Sequence, residues 1–176
     1  MKKHISVYPM TMREVGFVTD IKTDPSLWHY EYDISTDKKT ARDAVIMRMD
    51  SAWYRQYVVQ LNDDEKTLVG FLHLHHYVED RKSWELGYCI LPAFQRRGYC
   101  LEGAKHVLRE AFVRYNAHKV VAMCNAHNAA SRRVLEKLGM RIEGVFREEL
   151  PWNGGWADQL FFSILEGEYH SMYPSK

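Results

Sequence analysis

The alternation of apolar periods between Thr67 and Leu165 constrains this fold more than any other feature of the chain. Thr67 to Tyr77 and Ser83 to Leu91 read as strands, with polar Glu79-Asp80-Arg81-Lys82 between them, so they are expected to pair antiparallel. Pro92 to Gly98 breaks the pattern. From Tyr99 to Asn116, Leu101, Ala104, Val107, Leu108, Ala111 and Phe112 recur at spacings of three and four, the period of an amphipathic helix. Lys119 to Cys124 reads as a short buried strand. Asn128 to Leu138 reads as a second helix, with Gly139 at its C-cap position. Ile142 to Leu150 and Trp156 to Leu165 are two further strands joined through Asn153-Gly154-Gly155, a hairpin signal. The order is therefore β, β, loop, α, β, α, β, β.

The first third is less patterned. Met10 to Ser51 reads as helical or irregular, with Thr36 or Asp37 able to cap a helix near Ala41. Ala52 to Leu61 is aromatic and β-branched, and so strand-like. No linker or repeat divides the 176 residues, which suits one domain over 1–176. Its expected parts are an N-terminal strand with helices (1–52), antiparallel strands (53–91), a core (92–140) and a C-terminal hairpin and tail (141–176). The hydrophobic share of 46% excludes a disordered chain. A net charge of +1 supplies no overall field for nucleic acid or an anionic membrane. Cys89, Cys100 and Cys124 form neither a disulfide framework nor a zinc motif. Met1-Lys2-Lys3-His4 does not open a signal peptide, and no apolar run reaches membrane length, so the expectation is a cytoplasmic protein.

The chemistry concentrates in Gln95-Arg96-Arg97-Gly98-Tyr99-Cys100, which follows a strand and opens a helix. A glycine lets backbone approach a ligand closely. The first helical turn offers unpaired N–H groups and a partial positive charge, a cradle for phosphate oxygens. Arg96 and Arg97 add charge there. An ordinary strand-to-helix turn is the alternative reading.

This segment resembles the phosphate loop of the GNAT superfamily of acyl-CoA-dependent N-acyltransferases, Gln/Arg-x-x-Gly-x-Gly/Ala. Gln95, Arg97 and Gly98 match it, and Cys100 stands where Gly or Ala is usual. Asn128-Ala129-Ala130-Ser131 and Val134-Leu135-Glu136-Lys137-Leu138-Gly139-Met140 resemble the superfamily's later pattern, with Met140 in place of Phe. Gly144 to Glu148 and Asn153 to Asp158 are similar to the final hairpin of the branch that acetylates ribosomal-protein N-termini. The resemblance runs from about Trp84 to Glu168. It implies an α+β GNAT fold: a mixed, mostly antiparallel twisted sheet of six to seven strands flanked by helices. It also implies acetyl-CoA as cosubstrate, an amine acceptor and no metal.

Under that resemblance, backbone N–H groups from Arg96 to Cys100, Tyr99 included, hold the pyrophosphate. Cys89, Ile90 and Leu91 pair with the pantetheine amides, and an N–H near Ile90 or Leu91 stabilises the oxyanion. Gln95 and Asn128 join the cofactor contacts, and Ser131 lies near the departing sulfur. The amine attacks directly in a ternary complex. Glu85 is the candidate proton acceptor, since Glu85, Gly87 and Cys89 project to one face of a strand. A solvated strand carboxylate is the alternative for Glu85, and a local backbone bond for Ser131. No His and carboxylate evidently partner Cys100 or Cys124 as a nucleophile. His73 and His75 share a strand face while His76 points away, which suits a cleft lining better than a metal site.

The aromatic groups at Trp28 to Tyr32 and Trp53-Tyr54 suit either an acceptor pocket or plain packing. The acceptor stays open among a ribosomal-protein N-terminus, a polyamine, an amino acid and an aminoglycoside, and a homodimer fits the family. Two rival readings are a non-catalytic acyl-CoA-binding module that regulates and, further off, a nucleic-acid-binding domain using Arg96, Arg97, Arg132 and Arg133.

Overall fold

The computed structural model describes residues 4–32 and 34–174. The outer limits of the 1–176 domain, and Met1 to Lys3, on which part of the reading against a signal peptide rests, lie outside the described residues. The elements are β1 (Ile5–Pro9), α1 (Val15–Thr23), α2 (Lys38–Met49), β2 (Tyr54–Leu61), β3 (Leu68–Val78), β4 (Ser83–Ile90), α3 (Tyr99–Arg109), β5 (Lys119–Asn125), α4 (Ala129–Lys137), β6 (Arg141–Trp152), β7 (Gly155–Leu165) and α5 (Glu166–Met172). Among the described residues the strands form one seven-stranded sheet in the order β1-β2-β3-β4-β5-β7-β6. Only β4 and β5 run parallel; every other neighbouring pair is antiparallel. The fold is α+β with a mixed sheet.

Local chemistry explains most boundaries. Asp37 caps α2 by accepting from the Lys39 N–H at 3.1 Å. Asn128 caps α4 by accepting from the Ser131 N–H at 3.0 Å, and Gly139 follows that helix at φ 84°. Asn153 and Gly154 both take positive φ, the mirror-image turn that joins strands of right-handed twist. Three features differ from the sequence reading. The helix from Tyr99 keeps α geometry only to Arg109 and widens into a π-helical turn over Glu110–Arg114. The C-terminal tail carries α5, whose Met172 closes over Gly139 so tightly that a Cβ there would meet its sulfur. Strand β6 runs from Arg141 to Trp152 and is interrupted by a bulge between Phe146 and Leu150, where Glu148 takes φ 51°.

The sheet is covered on both faces. On one, Ala104, Val107 and Leu108 of α3, Leu135 of α4 and Tyr169 of α5 pack on Leu72, Leu74, Leu86, Ile90, Val120 and Phe162. On the other, Val15, Val18 and Ile21 of α1 and Val45 of α2 pack on Val58, Phe71 and Cys89. Gly103 lets α3 come down on Leu72: a Cβ there would lie 3.2 Å from the Leu72 side chain. None of the described helices is long and apolar enough to cross a membrane.

Leu72 is fully buried beneath α3. Leu72→Ala is expected to lower stability by about 2–5 kcal/mol. In urea denaturation the midpoint falls and the slope is unchanged.

Candidate active site

The parallel pair is where the site forms. β4 and β5 are in register only from Ser83 to Glu85 against Lys119 to Val121. Beyond Glu85 the two strands diverge, while β4 stays paired to β3 as far as Ile90. From Leu86 to Ile90, β4 therefore has one edge without a strand neighbour among the described residues. Such an edge offers backbone donors and acceptors to an extended ligand. Alternation along the strand decides which residues face the gap. The Leu91 N–H donates to the Val69 carbonyl at 2.9 Å, and the Cys89 carbonyl lies against Gly70, so both turn toward β3. Ile90 turns the other way, since its carbonyl accepts from Gln95 Nε2 at 2.9 Å. Of the trio expected to pair with pantetheine, only Ile90 presents backbone to the gap. Leu91 is excluded as an oxyanion donor because its N–H belongs to the sheet.

The loop below the gap has the backbone of an anion cradle. Arg96 has φ 61° and Gly98 φ 85°, so two left-handed residues bracket Arg97 before α3 begins. Alternating handedness of this kind turns successive N–H groups toward one concavity. No side chain caps α3, which leaves its first-turn N–H groups without a side-chain partner. A Cβ at Gly98 would meet open space, so conformation rather than crowding calls for glycine here. Arg96 and Arg97 are exposed, and Gln95 holds the loop to the end of β4. Cys100 is half-buried at the start of α3, and burial pushes its thiol up to about 12. Cys89 and Cys124 are likewise pushed by burial to about 11. All three are thiols at neutral pH, not thiolate nucleophiles.

On the α3 face of the gap, the Tyr88 hydroxyl lies 2.9 Å from Ser131 Oγ, joining β4 to the first turn of α4. Burial raises the Tyr88 phenol far above its usual range, so it stays protonated. Asn128 uses its Oδ1 on the Ser131 N–H. On the opposite face, Glu85 sits 3.5 Å from His75 Nε2. Burial, with Glu31 nearby, pushes the Glu85 carboxyl up to about 7. Burial also lowers His75, so its imidazole is neutral at neutral pH and the contact is not an ion pair. Among the described residues no group of three or more His, Cys, Asp or Glu could hold a metal ion. His73 and His75 stand side by side with centroids 5.5 Å apart, and His76 packs against Trp84 on the other face.

The connection between α1 and α2 is fastened to the ends of β5 and β6. The Asn125 side chain donates to the Tyr30 carbonyl at 3.3 Å, and Trp152 of the final hairpin donates to the His29 carbonyl at 2.9 Å. The Trp152 ring also stacks between Tyr30 and His127. Sequence reasoning missed Tyr88 and Trp152 as site residues, whereas Glu31 lies in the Trp28 to Tyr32 group that it offers for an acceptor pocket. Tyr88 and Ser131 are 43 positions apart, so no spacing announces their contact.

A glycine-opened helix beneath a sheet that splits at the parallel β4–β5 pair is the arrangement that the sequence resemblance leads one to expect. Comparison with known proteins agrees. Residues 6–141 match the family model of the acetyltransferase (GNAT) domain. The chain is 35% identical over 107 residues to the uncharacterized N-acetyltransferase YnaD of Bacillus subtilis, a match covering 61% of this chain and 62% of that protein. It thus spans about three-fifths of that relative. An acetyltransferase (GNAT family) structure from Bacillus anthracis superposes with TM-score 0.80 at 27% identity, over 94% of this chain and 96% of that one. A spermidine N-acetyltransferase of Vibrio cholerae, solved with CoA and spermine, superposes with TM-score 0.82 at 22% identity, over 94% of this chain and 98% of that one. The chain belongs to the GNAT acetyltransferase family.

The raised Glu85 carboxyl has a consequence for stability. The folded protein keeps this proton up to about pH 7, whereas an unfolded chain releases it near 4.5. Between those values the unfolded state binds fewer protons, so stability falls as pH rises, by on the order of 3 kcal/mol in total. Denaturation at about pH 5 and about pH 8 is expected to show Glu85→Gln losing less stability across that interval than wild type.

Proposed function

We propose that this protein moves the acetyl group of acetyl-CoA to a primary amine by direct attack in a ternary complex. The observation that carries this reading is the gap between β4 and β5, with Glu85 on one face and the Tyr88–Ser131 pair on the other. The residues present suit the cosubstrate. The left-handed Arg96 and Gly98, the uncapped N–H groups of α3 and the open space at Gly98 fit a pyrophosphate. The free edge at Ile90 fits an amide-bearing arm, and the Asn128 side-chain NH2 is left for it because Oδ1 is engaged in capping. Acetyl-CoA supplies an activated acyl thioester.

The chain's own residues carry out the rest. Glu85 accepts the proton from the attacking amine, and its carboxyl near 7 is ionised in a useful fraction at neutral pH while remaining a competent base. The Ile90 N–H supports charge developing on the carbonyl oxygen. Tyr88, held protonated, and Ser131 offer hydroxyl hydrogens to the departing sulfur. The α1–α2 connection, fastened by Asn125 and Trp152, keeps water from the reacting atoms and orients the amine. The named N-acetyltransferase relatives support the same reading.

Two measurements test it. Acetyl-CoA or CoA in excess is expected to raise the melting temperature of the wild type, and Gly98→Ala to lose most of that rise because alanine resists φ 85°. The absence of a shift in wild type would overturn cofactor binding. In CoA-release assays with a panel of amines, Glu85→Gln is expected to lower kcat/KM about a hundredfold and to remove the limb that rises with pH through about 7. Tyr88→Phe and Ser131→Ala are expected to lower kcat about tenfold each. Unchanged rates in all three would overturn the assigned roles.

A further inference from the structure

The proposed transfer uses Glu85 and leaves the remainder of that sheet face unexplained. Phe71, His73 and His75 of β3 form a ladder of rings there, with centroids 6.1 Å and 5.5 Å apart. Tyr54 of β2 stacks on both histidines, at 5.3 Å and 5.4 Å. Gly87 makes room for the ladder: a Cβ at that position would strike the His73 ring. Glu85 stands at one end, beside His75.

The covering helices bring two cations down on the same rings. Lys22 of α1 places Nζ 4.8 Å from the Phe71 centroid, and the Arg48 guanidinium of α2 lies 5.1 Å from the Tyr54 centroid. Neither has a carboxylate within ion-pair distance among the described residues. Asp24, at the end of α1, accepts instead from the Ser26 N–H and hydroxyl. Burial first and Arg48 second lower Lys22 to about 8, the mark of a cation short of counter-charge. The Nδ1 atoms of His73 and His75 are buried without a partner. Burial keeps both imidazoles neutral, so neither adds a charge between the two ends.

Half-buried, mutually repelling cations with no carboxylate at ion-pair distance among the described residues are costly to keep. An anion that arrives with the substrate would relieve that cost. We propose that the acceptor is an amine that also carries a carboxylate, its nitrogen toward Glu85 and its carboxylate toward Lys22 and Arg48. This rests on the acetyl-transfer reading and narrows it to a substrate class. From Glu85 beside His75 to Lys22 over Phe71 the ladder spans about three residues of extended chain, so the carboxylate lies some bonds away from the amine. A polyamine would set its second cation against Lys22 and Arg48, a like-charge contact that disfavours it.

CoA release from wild type tests this with acceptors matched in length: a short peptide with Asp at its second or third residue, the same peptide with Asn, a free amino acid and its amide, and spermidine. The expected result is a kcat/KM about tenfold or more higher for a carboxylate-bearing acceptor than for its amide, expressed mainly in KM, with spermidine poorest. The peptide and amino-acid arms show which source of carboxylate is preferred. Lys22→Glu is expected to reverse the order in favour of spermidine, and Lys22→Met with Arg48→Met to reduce the carboxylate preference to about twofold or less. Turnover with no carboxylate preference, a wild-type preference for spermidine, or a preference that survives the double substitution would overturn the proposal. Absence of CoA release with every amine would instead overturn the acetyl-transfer reading, and this proposal with it.

Discussion

The divergence of β4 from β5 is the constraint on which the rest of the structure depends. A sheet gains from every ladder hydrogen bond, and unpaired backbone polar groups are costly when shielded from water. Here the one parallel pairing among the described residues is abandoned after Glu85, leaving the far half of β4 with a strand neighbour on one side among those residues. Everything near the gap compensates for that loss or exploits it. Gln95 satisfies the Ile90 carbonyl, the Tyr88–Ser131 hydrogen bond spans from strand to helix, and Asn125 fastens the α1–α2 connection above. The left-handed residues Arg96 and Gly98 then open α3 beside the unpaired edge of β4.

The two faces of β4 divide the chemistry. Tyr88, Leu86 and Ile90 turn toward α3 and α4, where burial holds phenol and thiols in their protonated forms. Glu85, Gly87 and Cys89 turn toward α1 and α2, where burial lifts the Glu85 carboxyl to about 7. Desolvation is thus the common cause, and the chemistry of each group decides the outcome: a phenol or thiol is driven further into its protonated form, whereas a carboxyl that starts at 4.5 reaches only about 7.

Much of the fold was legible in the sequence because its signals are local. The spacing of Leu101, Ala104, Val107 and Leu108 marks α3, Asn153-Gly154 marks the last hairpin, and Asn128 with Gly139 brackets α4. Each rests on period, cap or turn chemistry within a few residues. The features that were not legible depend on distant partners. The π-helical turn, the β6 bulge and α5 answer to packing and register, and α5 is recognised only once Met172 covers Gly139. The loop at Gly98 was visible as a motif, whereas the sheet role of the Leu91 N–H was not, because strand composition does not say which edge an amide faces.

The sequence by itself determined the order of elements from β2 to β7, the glycine-opened helix and the alternation that puts Glu85, Gly87 and Cys89 on one side of a strand. These follow from the geometry of short segments, which needs no knowledge of neighbours. Only the tertiary structure decided that Ile90 faces the gap, that Tyr88 reaches Ser131, and that Lys22 and Arg48 meet a ladder of rings ending at Glu85. Those contacts join residues far apart in the chain. Their energies, and the pKa shifts they accompany, come from burial and from neighbours that only the folded sheet brings together.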